Sequence, residues 1–411
     1  MISELILVAR SRRHRVAVPN DFGGKMRPRD VVAAALVAGL LLSGCGGDDD
    51  EPNATESPAP TAGETTTPTP SATPEPSSVD PASVKANELA AIPVMMYHQV
   101  KAEVCSACVY DQTPAEFKAE LERLHKAGFV PITTAQMVAG EIDIPAGKHP
   151  VVLTFDDSSA SQIQIGPDGK PTADSAVGIM EAFEAENPDF PAIGSFYVNG
   201  TSFTDPKALP WLVENGYEVG VHTVNHANLK QSSESTVQKE IANNIADIKA
   251  QAPDAKVNTI ALPFGIAPAN PQLLRAGEFE GKSYTLDAAL LVGSNPAKSV
   301  FDADFDPYKI ARIRSGPKNK PVETDSTYWL DQFDDGKWAA YTSDGDPNKI
   351  SYPSTTSKKL GSKWADKANP YEPAGESGSG SSSSPSPSAT ASTPPSSSPE
   401  ETPSATATST S

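Results

Sequence analysis

Short apolar runs that alternate with amphipathic helices constrain the fold of this 411-residue chain more than any other feature. Five such runs are typical of buried strands, and they span residues 92–97, 151–155, 193–198, 218–221 and 259–262. A helix is predicted after Thr113, because Thr113-Pro114-Ala115-Glu116 is a capping box with proline at the first helical position. A second helix is predicted over residues 235–253, where isoleucines recur at helical spacing. Strands alternating with helices predict a parallel α/β fold, either a barrel or a doubly wound sheet.

The two flanks of the chain differ from this body in composition. Residues 46–88 and 372–411 are rich in proline, serine and threonine, and they contain no phenylalanine, tyrosine or tryptophan. Such segments bury too little apolar surface to offset the entropy of an ordered chain. We therefore expect a disordered linker over 46–88, a folded domain over 89–371 and a disordered tail over 372–411.

Residues 1–45 resemble a bacterial export signal. Arg27 and Arg29 precede an apolar run over residues 31–42, which is too short to cross a bilayer as a mature helix. Leu42-Ser43-Gly44 before Cys45 resembles the cleavage box of bacterial lipoproteins, in which the cysteine is lipidated. The resemblance implies a protein outside the cytoplasm, anchored to the membrane through Cys45; ordinary secretion with a nearby cysteine is the alternative.

Cys105 and Cys108 are the remaining cysteines of the chain. An oxidising exterior favours a small-loop disulfide between them. A two-cysteine zinc site would need partners that are not evident nearby. A redox dithiol is the other alternative, although the pair precedes a helix without a thioredoxin-like pattern.

Three of the predicted strands end in distinctive segments, and two of these segments carry chemically reactive side chains. Asp156 and Asp157 follow the run at 151–155, and His222 and His226 follow the run at 218–221, while Pro263-Phe264-Gly265 follows the run at 259–262. The carboxyl ends of parallel strands converge on one face of an α/β fold, where active sites form. We therefore expect these three segments to meet.

The residue types in these segments suit a metal site. One helical turn would present the imidazoles of His222 and His226 on the same side, and a carboxylate from Asp156 or Asp157 would complete the ligand set. The other aspartate would serve as a general base beside water, whose pKa a divalent ion lowers from about 15.7 to about 7. Each motif alone is more often structural or solvent-facing, but their order along the chain favours a hydrolase acting on an ester or amide.

Residues 92–314 resemble the polysaccharide deacetylase, or NodB-homology, family of carbohydrate esterases. The resemblance rests on five segments: Met96-Tyr97-His98, Thr154-Phe155-Asp156-Asp157, Ser195-Phe196-Tyr197-Val198, His222-Thr223-Val224-Asn225-His226 and Leu262-Pro263-Phe264-Gly265. It implies a distorted (β/α) barrel and a divalent metal ion, zinc before cobalt or another ion. It also implies an acetylated polysaccharide as substrate, with hydrolysis of N-acetyl groups on cell-wall or extracellular glycans.

The resemblance assigns roles by position. Asp156 is similar to the family's catalytic base, and Asp157, His222 and His226 are similar to its metal ligands. The backbone N–H near Phe264 is expected to stabilise the oxyanion.

Two departures from the family pattern leave roles open. The arginine that usually pairs with the base is replaced by Ala261; Arg312 or Arg314 could substitute for it, or both could be surface charges. The family's carboxyl-terminal histidine acid has no counterpart, because no histidine follows His226. We expect His98 to be the acid; the alternative is a buried histidine that supports the site.

The departures also keep two other functions open. A non-catalytic glycan-binding lipoprotein could use the same scaffold, and an O-acetyl esterase of the xylan type would share the site. The formal net charge of −19 argues against a nucleic-acid partner. No protein partner can be inferred.

Overall fold

The computed structural model describes residues 79–105, 108–200, 202–316 and 325–373. Its strands are β1 Val94–Tyr97, β2 Phe129–Ile132, β3 His149–Phe155, β4 Ser195–Val198, β5 Glu218–Val221, β6 Thr259–Ala261, β7 Ala276–Phe279, β8 Lys282–Thr285, β9 Ala288–Leu290, β10 Ile313–Arg314, β11 Ile350–Pro353 and β12 Ala368–Tyr371. Its helices are α1 Pro114–Lys126, α2 Thr134–Ala139, α3 Ala176–Glu186, α4 Ala208–Glu214, α5 Glu234–Gln251 and α6 Ser326–Asp334. None of the described helices is long and apolar enough to cross a membrane. The predicted signal segment with Cys45, the linker up to residue 78 and the tail beyond residue 373 lie outside the described residues.

Eight of the strands form one parallel sheet. Its order is β10-β1-β3-β4-β5-β6-β9, and β2 pairs with the first half of β3. Backbone bridges bring the two ends of this order together, since Leu290 of β9 pairs with Ile310, and Ser294 pairs with Ile313. The sheet therefore curls into a distorted (β/α) barrel, which confirms the fold predicted from the sequence.

Alternation along β3 shows how the barrel separates apolar packing from the site. Leu153 and Phe155 are fully buried in the outer apolar cluster, together with Phe117 of α1. Side chains of a strand alternate between its two faces, so Thr154 and the residue after the strand, Asp156, point into the barrel. The outer face of β3 packs in this cluster, while its inner face carries Val152 of a second apolar cluster and, nearer the carboxyl end, the residues of the site.

The capping box predicted before α1 is present. The side chain of Thr113 accepts a hydrogen bond from the backbone N–H of Glu116 at 3.2 Å, and the Glu116 carboxylate accepts one from the backbone N–H of Thr113 at 2.9 Å. Helix α5 begins one residue earlier than predicted, at Glu234, because the side chain of Ser233 caps it.

The folded body begins earlier than composition suggested. Residues 79–88 were assigned to the linker, yet the side chain of Glu88 is buried and accepts hydrogen bonds from Tyr341 Oη at 3.1 Å and from the backbone N–H of Ser351 at 2.7 Å. Burial, together with the neighbouring Asp344 carboxylate, raises the pKa of Glu88 to about 8. The boundary predicted at residue 88 is therefore too late. The buried carboxyl group of Glu88 fixes this polar segment to the folded body, and amino-acid composition does not reveal such a contact.

Both ends of this body lie at the amino-terminal rim of the barrel. Tyr371, the last residue of β12, donates a hydrogen bond from its Oη to the carbonyl oxygen of Ala86 at 2.8 Å. The backbone N–H of Asn87 donates to the carbonyl of Thr342 at 2.9 Å, and the Thr342 hydroxyl lies 3.3 Å from Nδ1 of His149, where β3 begins. The site residues follow the opposite ends of the strands.

Candidate metal centre

Six of the seven residues that the sequence assigned to catalysis, metal binding or support of the base follow strands at the carboxyl-terminal rim, and the side chain of the seventh, Arg312, reaches Asp156. His98 follows β1, Asp156 and Asp157 follow β3, His222 and His226 follow β5, Phe264 follows β6, and Arg312 precedes β10.

Asp157, His222 and His226 converge on one point. Nε2 of His222 lies 3.2 Å from Oδ1 of Asp157, and Nε2 of His226 lies 3.6 Å from the same oxygen. Among the residues that the structure describes, this is the group of histidine, cysteine and acidic side chains whose ligand atoms all lie within 4.8 Å of one another. The three residues predicted as metal ligands are thus brought together.

The His222–His226 segment is a loop rather than the helical turn expected from its spacing. Thr223 and His226 have left-handed φ angles of 64° and 49°, a conformation that costs non-glycine residues about 1–2 kcal/mol. The loop is held by α5, because the carboxylate of Glu240 accepts hydrogen bonds from the backbone and side-chain N–H groups of Asn225 at 2.8 and 2.7 Å. Tertiary contacts therefore set the positions of the two imidazoles.

The two adjacent aspartates face different partners. Asp156 is buried and accepts hydrogen bonds from both terminal nitrogens of Arg312, at 2.8 and 2.7 Å. At Asp157 a φ of 74° redirects the chain, so its carboxylate meets the histidines instead. Burial opposes ionisation of Asp156, but Arg312 and His222 outweigh it and hold the pKa of this carboxyl well below its usual range. Asp156 is therefore ionised at neutral pH.

The position of the proton on the His222 ring shows that a cation fits the ligand group. Nδ1 of His222 lies 2.8 Å from the carbonyl oxygen of Ala261, which can only accept, so Nδ1 carries the proton. Nε2 of the neutral ring then presents a lone pair, and this buried atom finds no hydrogen-bond partner among the described residues. Two acceptors, Nε2 and the Asp157 carboxylate, face each other, and they repel unless positive charge lies between them. Two imidazole nitrogens and one carboxylate are ligands that suit zinc and related divalent ions.

The pKa of His222 reports the same preference for positive charge. Burial lowers this pKa, but the carboxylates of Asp156 and Asp157 more than offset burial, and the net shift is upward. The local field at His222 therefore attracts a cation.

Arg312 is the arginine that pairs with Asp156, and Arg314 does not. Arg312 is fully buried and donates two further hydrogen bonds, to the Thr154 hydroxyl at 3.2 Å and to the carbonyl of Leu291 at 2.7 Å. The arginine missing at Ala261 is thus replaced from β10, on the far side of the barrel closure.

His98 lies on the other side of the Asp157 carboxylate. Its Nε2 is 4.0 Å from Oδ2 of Asp157, and its ring centroid is 4.8 Å from that of Tyr110. Burial lowers the pKa of His98, while the carboxylates of Asp156 and Asp157 oppose this shift. The imidazole of His98 therefore borders the site without joining the ligand group.

Phe264 borders the site on the side of His226. Its ring lies edge-to-face on the His226 imidazole, with centroids 4.6 Å apart, and 57% of the residue is exposed. The φ angle of Phe264, 59°, belongs to the left-handed region. The next residue, Gly265, allows Val292 to approach closely, because a Cβ at this glycine would lie 2.4 Å from the Val292 nitrogen. The backbone of Phe264 is thereby held at the edge of the ligand group.

Two of the exposed large apolar side chains border the site. In the described residues the exposed large apolar side chains are Val79, Tyr110, Phe264 and Val292. Tyr110 packs on His98 and Phe264 packs on His226, so aromatic rings flank the ligand group on two sides.

Sequence reasoning did not identify Gln162 and Asn244. The side-chain amide of Gln162 donates to the backbone carbonyls of both His98 and Asp156, which fastens the ends of β1 and β3 to each other. Oδ1 of Asn244 accepts from the backbone N–H of His222 at 3.1 Å. Neither residue belongs to the motifs, and only the folded arrangement shows that they support the site.

The predicted disulfide and two other histidines lie outside the ligand group. Cys105 and Cys108 form a disulfide between β1 and α1. His125 pairs with Asp189 at 2.8 Å, and Nδ1 of His149 contacts the carbonyl of Tyr341 at 2.7 Å; neither histidine takes part in the ligand group.

Comparison with solved structures finds deacetylases of low sequence identity. The Streptococcus pyogenes deacetylase PplD, in complex with acetate, is 19% identical with a TM-score of 0.44, over 59% of this chain and 98% of that one. A polysaccharide deacetylase from Bacillus cereus is 16% identical with a TM-score of 0.45, over 59% and 69% of the two chains. IcaB from Ammonifex degensii is 18% identical with a TM-score of 0.43, over 59% and 97%. No curated protein sequence matches the chain.

The family comparison covers the central segment of the barrel. Residues 143–277, from β3 through the start of β7, match the family model for polysaccharide deacetylase. This range contains both aspartates, both ligand histidines and Phe264. The match confirms the resemblance read from the motifs: residues 143–277 match a polysaccharide deacetylase domain, and this match supports a hydrolase of carbon–nitrogen bonds other than peptide bonds.

Proposed function

We propose that the chain is a metal-dependent N-deacetylase of cell-wall or extracellular glycans, acting outside the cytoplasm. The observation that carries this proposal is the convergence of Asp157, His222 and His226 beside an ionised Asp156. This arrangement provides separate residues for holding a cation and for accepting a proton.

Asp157, His222 and His226 would hold the cation, with zinc before cobalt or another divalent ion. When bound, such an ion supplies Lewis acidity, which polarises an acyl carbonyl and lowers the pKa of water.

The residues of the chain account for the proton transfers of amide hydrolysis. Asp156, kept ionised by Arg312, takes a proton from the water that adds to the acetyl carbon. The backbone N–H near Phe264 donates to the oxyanion that forms. As the carbon–nitrogen bond breaks, the proton that Asp156 has taken passes through His98 to the departing sugar nitrogen, and acetic acid and a free amine are released.

The aromatic rings that flank the ligand group support a carbohydrate substrate. Tyr110 and Phe264 are exposed although they are large and apolar, and such rings pack well against the apolar faces of sugars. An N-acetyl group could enter between them while the neighbouring sugar rings lie along the aromatic side chains.

Two features support a location outside the cytoplasm. The segment ending in Cys45 has the pattern of a lipoprotein signal, and the Cys105–Cys108 disulfide is a bond typical of oxidising compartments. We propose that the protein is lipid-anchored to a bacterial membrane through Cys45, with acetylated glycan as its partner.

The proposal is tested by measuring the acetate that the full chain releases from acetylated glycans. Chitooligosaccharides and peptidoglycan fragments serve as substrates, with zinc or cobalt added and the bound metal measured by elemental analysis. Asp156→Asn should abolish turnover and keep the metal, whereas His226→Ala should lose the metal. His125→Ala is the matched control, because His125 lies outside the ligand group, and it should retain both.

Two outcomes would replace the proposed function. If the metal-loaded wild type binds these glycans but releases no acetate from any of them, the chain is a non-catalytic glycan-binding protein. If it releases acetate only from O-acetylated xylan, it is an O-acetyl esterase.

A further inference from the structure

We propose that Arg314 forms an anion subsite next to His98, and that the glycan bound there carries a carboxylate. The inference rests on the proposed function and specifies its substrate class.

The strand pairing places Arg314 at the rim of the site. Arg314 pairs with Met96 of β1, two residues before His98. Ile313 belongs to the outer apolar cluster, so the alternation of side chains puts Arg314 on the inner face of β10, the same face as Arg312.

Arg314 lacks the aspartate partners that Arg123 and Arg312 have. Arg123 and Arg312 each form salt bridges with aspartates. Arg314 forms none within the described residues, and its Nε is buried without a hydrogen-bond partner there. An unsatisfied buried donor is costly. The Arg314 side chain as a whole is partly exposed, so a ligand carboxylate can reach its guanidinium and accept hydrogen bonds from it.

The ring of Tyr110 links Arg314 to the catalytic site. The guanidinium carbon of Arg314 lies 5.5 Å from the Tyr110 centroid, and the same ring contacts His98 at 4.8 Å. Arg314 is therefore separated from His98 by one aromatic ring, a distance that a single sugar residue can span.

The loop that carries Tyr110 is fastened in three ways. The Cys105–Cys108 disulfide closes the turn before it, and Lys101 pairs with Asp111 at 2.8 Å. Gly316 allows β10 to approach the loop closely, since a Cβ at this position would lie 2.6 Å from the carbonyl oxygen of Val109. The Tyr110–Arg314 contact is thus built into the fold.

The guanidinium of Arg314 is suited to binding a carboxylate. The planar guanidinium fork matches the two oxygens of a carboxylate. Because the chain has a formal net charge of −19, its overall field repels an acidic glycan, and recognition must come from a local cation of this kind.

The test compares three oligosaccharides on the full, metal-loaded chain. The chitin tetramer is neutral, the hyaluronan tetrasaccharide carries carboxylates on neighbouring sugars, and a muramic-acid disaccharide from peptidoglycan carries one on the acetylated sugar itself. Arg314→Gln should raise KM for a carboxylate-bearing substrate about tenfold or more, leave its kcat unchanged and leave the chitin tetramer unaffected. The carboxylate substrate that shows the effect identifies where the anion sits.

Two further variants separate recognition from a structural role. Arg275→Gln is the matched control, because Arg275 also lies over a tyrosine, with its guanidinium carbon 4.0 Å from the Tyr308 centroid, and it should leave all three substrates unchanged. Arg314→Lys should restore part of the preference, since it keeps the charge and loses the fork. Raising the salt concentration should weaken the wild-type preference and not that of Arg314→Gln.

The inference is overturned if Arg314→Gln leaves all three KM values unchanged or raises them equally. Such a result with active wild type would leave the proposed function intact. If the wild type releases no acetate, the proposed function fails. The anion subsite is then tested by calorimetric titration of the same oligosaccharides, and an unchanged affinity of Arg314→Gln for the acidic ones rejects it.

Discussion

The buried ion pair between Asp156 and Arg312 predicts a strong energetic coupling. Both side chains are almost completely buried, and two charge-assisted hydrogen bonds join them. Replacing Arg312 by methionine leaves the Asp156 charge buried and uncompensated, which should lower the free energy of unfolding by about 3–5 kcal/mol. Asp156→Asn should have a comparable cost, because it strands the guanidinium.

A double-mutant cycle isolates the pair from the other contacts of Arg312. The hydrogen bonds to Thr154 and Leu291 are lost in Arg312→Met and again in the double variant, so they cancel. With both charges removed, the double variant should be more stable than the sum of the single losses predicts, by about 3 kcal/mol.

The assay is urea unfolding at neutral pH in the presence of a chelator, followed by circular dichroism, so that bound metal does not contribute. Arg123→Met is the surface control, because Arg123 pairs with the exposed Asp331 and Asp334 and should cost less than about 1 kcal/mol. If the losses from Arg312→Met and Asp156→Asn simply add in the double variant, the reasoning about this pair is refuted.

Three other changes test separate parts of the structure. Burial and Asp344 raise the pKa of Glu88 to about 8, so the native protein keeps a proton that the unfolded chain loses above about pH 4.3. The free energy of unfolding should therefore fall as the pH rises towards 8. Urea titrations at several pH values should show this slope in the wild type and a flatter one in Glu88→Gln. Phe264→Ala keeps the backbone N–H but removes the exposed ring, so steady-state kinetics should show KM raised by roughly threefold to tenfold and kcat nearly unchanged; a large loss of kcat would contradict this. His98→Ala should lower kcat by about 10²–10⁴ with the metal content preserved, and loss of metal would instead make His98 part of the ligand group.

Features of the site that depend on neighbouring residues along the chain could be predicted from the sequence. The capping box before α1 is a four-residue signal, and Asp156, His222 and Phe264 were placed by the rule that parallel strands converge at their carboxyl ends. These inferences require only that each strand be recognised, and the buried apolar runs make that straightforward.

Features that depend on distant strand pairing could not be predicted. Arg312 and Arg314 lie on the same face of β10, so alternation alone does not show which of them reaches Asp156. The register of β10 against β1 decides this, and it is set by the closure of the barrel. Likewise, the left-handed backbone of Asp157 and the loop conformation of His226 arise from tertiary contacts that spacing does not encode.

The meeting of residue 86 with Tyr371 has a practical consequence for handling this enzyme. β3 has seven residues, so the first and last described residues lie about 20 Å from the ligand group, at the opposite rim of the barrel. A reporter domain, affinity handle or solid support joined at residue 79 or residue 373 leaves from the back of the barrel. Attachment there keeps the ligand group accessible, whereas a graft in the disulfide loop beside Tyr110 would cover it.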